Sequence, residues 1–264
     1  MGTVSVGFVW GWEWDPPFVA ALVVAELIYV VVWARGRIGS RSLRLTPSRL
    51  AAFTAAMAVI AIALLSPIGV NGERLLSMHM VEHDLLIWVV APLVLLGIAP
   101  MLDRAEQLSA VVRKARGYLT HPLVAWVTST MLLWVWHAPL AYEWTLADET
   151  VHHIEHLSFL GAYLLYWWPL IGSSREIASL PTNGARVAYL VAGMMQSALL
   201  GALITFHESV LYTAYLHVPG ATPASALADQ RLAGALMWFP GAIVFTVAAV
   251  LVIRQPARLA TRAA

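Results

Sequence analysis

The sequence has no cysteine and little charge. The absence of Cys from 264 residues excludes disulfides, iron–sulfur clusters and thiolate metal sites. Asp, Glu, Lys and Arg together make up 12% of the chain, about half the share found in an average soluble domain. Sixteen basic residues against fifteen acidic ones leave a net charge of +1, so the basic excess that nucleic acid binding needs is missing. Also missing is the apolar–polar alternation of barrel strands. What fills the chain instead is hydrocarbon, with 60% hydrophobic residues and a mean hydropathy of +0.73. Twelve Trp suit anchoring at a membrane–water interface. The composition is that of an integral membrane protein.

A helix that crosses a hydrocarbon core of about 30 Å needs roughly 20 mostly apolar residues. Seven stretches meet this requirement, near residues 17–34, 50–70, 79–101, 121–141, 152–172, 185–207 and 231–253. They predict an all-α membrane protein in which residues 1–264 form a single seven-helix transmembrane domain. The opening MGTVSVGFVWGWEWDPPF has no basic residue and no small-residue cleavage site, so it does not read as a signal peptide. Its Trp10, Trp12 and Trp14 read as an interfacial belt before the first span.

Orientation follows from the basic residues. Counted on alternate sides of the spans, fourteen of the sixteen fall on one face, and only Arg74 and Arg231 on the other. The basic face is the cytoplasmic one, which sets the N-terminus outside and the C-terminus inside. On the inner face, Leu108, Val111, Val112, Ala115 and Leu119 recur at helical intervals opposite Arg104, Arg113, Lys114 and Arg116. Segment 103–119 reads either as an amphipathic helix on the inner leaflet or as a solvated charged loop.

With this topology, His121 lies inside and the other eight histidines lie toward the outside: His79, His83, His137, His152, His153, His156, His207 and His217. His79 and His83 are four apart, so both project from one helical face. His152 and His156 repeat that spacing in another span, and His137 closes a third. Two His-x-x-x-His pairs joined by His137 make a candidate metal site, with His79, His83, His137, His152 and His156 as ligands. Imidazole suits copper, zinc and iron. Met78 and Met80 flank His79, and thioethers favour Cu(I); Met80 lies about 60° around the helix from His83. Glu82, Asp84 and Glu155 are the expected partners for the second ring nitrogens. His121 and His217 read as interfacial or packing residues. Paired histidines on facing helices also suit a haem b, and three ligands with an open position would suit a zinc or iron enzyme. A metal-free outer cavity lined by imidazoles is the third possibility. Elsewhere, Glu26 lies inside the first span, where a carboxylate must be protonated, paired or part of a pathway. Gly193, Ser197 and Gly201 form a packing stripe.

The blocks MHMVEHDLLIWVVAPLVLLG, WHAPLAYEWTLADETVHHIEHLSFLGAYLLYWWPL and DQRLAGALMWFPG resemble, in order and separation, those of the CtaG-type cytochrome c oxidase assembly factors, a bacterial seven-span family. The resemblance runs from about residue 45 to 253 and carries His79, His83, His137, His152, His156, Glu155 and the Asp229–Gln230 pair. It implies a multi-pass protein of the bacterial cytoplasmic membrane that helps metallate or assemble a haem–copper oxidase. The partners it implies are oxidase subunits and a soluble extracytoplasmic copper donor. Two positions depart from the pattern, His153 and His207, where the family has small residues.

Overall fold

The computed structural model describes residues 7–38, 46–103, 109–172 and 180–254, and among these it is helical, with no strand. Leu108 and Arg104 of the amphipathic segment lie outside the described residues, as do Arg41, Arg44, Arg175, Arg258 and Arg262 of the charge count.

Proline decides where many helices begin. Its missing N–H costs nothing at a first turn, and its ring forces the preceding residue into extended backbone. Helix α1 spans Pro16–Ile38 and α2 spans Pro47–Leu65. The apolar run expected at 50–70 does not continue as one helix, because Pro67 turns Ser66 extended and starts a short α3, Pro67–Gly72. The same device acts at Pro139. Helix α7, Pro122–Trp136, stops there, and α8, Pro139–Ala147, leaves at a bend of 71°. The stretch expected at 121–141 is therefore a bent pair with His137 at the corner.

The third stretch is continuous but changes gauge. Helix α4, Leu76–Asp84, runs into a π turn, Leu85–Val90, and then into α5, Ala91–Asp103. Pro92 cannot donate to the Trp88 carbonyl, so the α ladder fails at this point. Ala91 N–H reaches back five residues to Leu86 O, and the Ile87 carbonyl that it would have satisfied accepts from Trp167 Nε1 at 3.0 Å. Helix α6 spans Ala110–Leu119, with the Ser109 hydroxyl accepting from Val112 N at 3.4 Å. This segment is thus a helix, and Val111, Tyr118 and Leu119 are exposed along it. Helices α9, Glu149–Ile171, α10, Asn183–Phe206, and α11, Pro223–Arg254, complete the bundle.

Five of these segments are long and apolar enough to cross a membrane, at Pro16–Gly36, Pro47–Gly72, Leu76–Met101, Asn183–Phe206 and Pro223–Leu251, and the bent pair makes a sixth if it counts as one span. Helix α9 has the length, but its His and Glu residues lower its hydropathy. Trp88, Tyr163, Tyr166, Trp167 and Phe245 pack edge to face in the middle of the bundle. Helix α1 lies at the periphery. Tyr29 ties it in by stacking on Phe53 at 4.0 Å and donating to Gly97 O at 3.1 Å. Glu26 is paired, accepting from Thr54 Oγ1 at 2.5 Å.

Helices α10 and α11 meet backbone to backbone. A Cβ on Gly201 would lie 2.7 Å from Gly234 O, and one on Gly234 would lie 2.5 Å from Gly201 O. The small-residue stripe is thus a packing seam on this side, and Gly193 makes room for the Tyr166 hydroxyl. Replacing Gly234 by Val must prise the two helices apart, an overpacking cost of about 1–3 kcal/mol. Thermal unfolding in detergent is expected to shift down accordingly, and an unchanged midpoint would contradict the seam.

Candidate metal centre

Helix α4 carries His79, Glu82 and His83, and helix α9 carries His152, Glu155 and His156. Both hold the same pattern, His-x-x-Glu-His, in HMVEH and HHIEH. At helical spacing the two histidines of each motif point the same way, with the glutamate beside them. The π turn and α5 pack against α9 below, while the imidazoles of the two motifs meet above.

The start of α4 is held from another helix. Asp229 accepts from Ser77 Oγ at 2.5 Å and from Ser77 N at 3.2 Å, acting as an N-cap supplied in trans. Gln230 accepts from Leu211 N at 2.7 Å and donates to Ser209 O at 3.1 Å. The Asp229–Gln230 pair therefore positions the site and its covering loop without reaching the imidazoles.

The rings form one cluster. Centroids are 4.4 Å apart for His79–His83, 4.3 Å for His152–His156, 5.3 Å for His83–His156 and 5.2 Å for His79–His152. The glutamates cross over: Glu155 lies 3.5 Å from His79 Nε2 and 3.7 Å from His83 Nε2, and Glu82 lies 3.5 Å from His156 Nε2. One ligand atom from each of His79, His83, Glu155 and His156 falls within 4.8 Å of all the others, and His79, Glu82 and His152 form a second such group.

Burial makes this arrangement costly as it stands. His79 and Glu155 are 0% exposed, Glu82 1% and His83 2%. Both ring nitrogens of His79 and of His83, the Nε2 atoms of His152 and His156, both Glu155 oxygens and Glu82 Oε1 have no hydrogen-bond partner. Thr145 lies near Glu155, but its hydroxyl donates to Tyr142 O at 2.7 Å. Buried polar atoms in folded proteins are almost always paired, and a cation in either group would satisfy one atom of each of its residues at once. Donors bound about 2.05 Å from a tetrahedral ion sit about 3.3 Å apart, close to the two Glu155 contacts. The donor set fits a metal ion.

His137 adjoins this group. It caps the C-terminus of α7, where its Nδ1 donates to Leu133 O at 2.7 Å, and its ring centroid is 6.0 Å from that of His83. A carbonyl only accepts, so in the neutral ring the proton sits on Nδ1 and the Nε2 lone pair faces Met80 Sδ at 3.4 Å. Met80 is buried here.

Of the three carboxylates expected behind the imidazoles, Glu155 and Glu82 stand among the ligand atoms themselves. Asp84 turns away and accepts from Trp88 Nε1 at 3.0 Å. One residue beyond His83 puts it about 100° around the helix. The repeated His-x-x-Glu-His pattern was the available signal for the two glutamates. His153 is exposed at the rim, and His207 binds Ser209 O at 2.8 Å in its own turn. His121 caps α7 by accepting from Leu123 N, and His217 ends a short 3₁₀ turn.

An uncharacterised protein of Mycobacterium bovis is 27% identical over 276 residues, covering 95% of this chain and 40% of its own length. One of Mycobacterium tuberculosis shows the same figures, and one of Mycobacterium leprae is 26% identical over 283 residues, covering 97% of this chain and 42% of its own. The chain thus spans about two fifths of the length of these curated relatives. No solved structure matches it. The pattern of the cytochrome c oxidase caa3 assembly factors matches residues 27–258, from within α1 to beyond α11, and the chain belongs to that family.

Proposed function

We propose that this assembly factor carries copper, as Cu(I), at the outer face of a bacterial cytoplasmic membrane and passes it to a haem–copper oxidase. His79, His83, His152 and His156 hold the cargo, with His137 and Met80 beside them as the softer exit. The observation that carries this reading is the nest of buried imidazole and carboxylate atoms without hydrogen-bond partners between α4 and α9. The His137 nitrogen facing the Met80 thioether favours the soft monovalent ion. The client is a copper-bearing oxidase subunit, and the donor is a soluble extracytoplasmic copper protein.

The reading needs seven spans in one domain, with the N-terminus outside and the C-terminus in the cytoplasm. Helix α9 is the span whose composition argues against it. Its 23 residues reach about 34 Å, long enough to cross. Its motif sits at one end, where His156 and Glu155 are buried against the bundle, away from lipid. The fourteen-to-two division of basic residues supports the orientation.

Glu155 among the ligands supports a second reading, a zinc or iron enzyme, since three imidazoles and a carboxylate are a donor set of harder ions. Haem is less well served, because Glu82 and Glu155 occupy the space between the facing rings.

Elemental analysis of the purified protein against a His79→Ala/His83→Ala/His152→Ala/His156→Ala variant separates these readings. Copper near one equivalent, lost in the variant, is the expected result. Zinc or iron in its place favours the enzyme, and no metal of any kind, as purified or after loading with copper, zinc or iron, rejects both. The topology is tested on the naturally Cys-free background. Glu208→Cys is expected to react with an impermeant maleimide in intact cells, and Lys114→Cys only after permeabilisation. The reverse pattern would invert the orientation.

A further inference from the structure

A cavity of about 640 Å³ opens beside the cluster, and its outer wall is the extended segment before α1. That segment is strapped down at two points. Asn71 accepts from Val9 N at 3.0 Å and donates to Val9 O at 2.9 Å, and Glu13 N donates to Leu65 O at 2.8 Å. The strap adds Glu13 and Asp15 to Glu73 and Glu149, so four carboxylates line the cavity away from the cluster, and among the described residues no Lys or Arg lines it. Glu13, Glu73 and Glu149 are exposed and Asp15 is half-buried.

The inner end of the same cavity is lined by Glu82, His152 and His156. Glu82 is 1% exposed with Oε1 unpartnered, and His156 is 7% exposed with Nε2 unpartnered. Glu82 and His152 also belong to the outer of the two ligand groups, which shares only His79 with the inner one. A Cβ on Gly72 would come within 2.2 Å of Glu82 Oε1, so the glycine leaves room for that carboxylate at the inner end. Negative charge at the mouth, unpartnered donors at the floor and one shared imidazole make a graded path.

We propose that this cavity is the loading route of the metal centre, and that it admits copper as a cation or cationic complex and turns away anionic chelates. The inference rests on the copper reading above. The four carboxylates raise the local concentration of cations, and Glu82 with His152 takes the ion before His79 hands it to His83, Glu155 and His156. Charged clefts of this kind raise association rates by about 10- to 1,000-fold, and the gain falls steeply with salt. The four carboxylates make no part of the ligand groups, so they act on arrival alone.

The test compares the protein with a Glu13→Gln/Asp15→Asn/Glu73→Gln/Glu149→Gln variant in uncharged detergent. Asp15 caps α1 by accepting from Phe18 N, and Asn preserves that cap. Anaerobic stopped-flow loading with the cationic Cu(I)–acetonitrile complex, followed by tryptophan emission, gives the rate. Loading of the variant is expected to be about 10-fold slower at low ionic strength, with the difference closing at high salt, and with dissociation rate and stoichiometry unchanged. Loading from an anionic Cu(I) chelate is expected to be faster in the variant. A variant that fills at the unmodified rate overturns the route and leaves the metal centre standing. An unmodified protein that takes up no copper overturns the centre, and the route with it.

Discussion

Hydrocarbon offers no hydrogen bonds, so every polar atom inside a membrane protein must find its partner within the protein. That constraint shapes both halves of this bundle. In the lower half it is met covertly, as where the carbonyl freed by the π turn finds the Trp167 indole, or where Thr54 serves Glu26. At the top of α4 and α9 it is concentrated: two His-x-x-Glu-His motifs face each other, and most of their polar atoms have only one another. An array of acceptors and imidazoles without shared protons is tolerable at such burial when a cation completes it. The rest of the outer architecture, from the trans cap at Ser77 to the strap at Asn71, holds those two motifs in place.

Much of this was readable from the chain. The spacing of four in each histidine pair placed both rings on one face because a helix repeats every 3.6 residues, and the two pairs do meet in one cluster. The breaks at Pro67 and Pro139 were not readable, because proline alone does not decide a break: Pro100 and Pro169 lie inside helices. What periodicity could not supply was partnership. Nothing in the local sequence says that Glu155 answers His79 and His83, or that Glu82 answers His156, because that depends on α4 facing α9. Asp84 was misassigned for a local reason, since one residue along a helix is the wrong side of it.

Helix α9 shows the converse limit. Its hydropathy is diluted by the same residues that make the candidate site, so apolarity alone passes over a helix that carries half of that site. The His153 position illustrates how small that margin is: next to the half-buried His152, it is exposed and reaches the rim of the cavity. Residues that work at a membrane protein's mouth make their helix look less like a membrane helix.

The wide turn at Leu85–Val90 has a consequence for how the chain can change. Each residue of an α-helix advances the face by about 100°, and a π turn holds one residue more than the ladder requires. Below it, Leu95 and Ala99 are buried in the bundle; above it, His79 and His83 face His152 and His156 of α9. The turn thus works as a vernier between two phases of one helix. A surplus residue in a regular α turn would swing both imidazoles about 100° away from the apolar half; the wide turn takes it up, so the chain can gain or lose one residue here with the apolar half still seated and the imidazoles still aimed at α9.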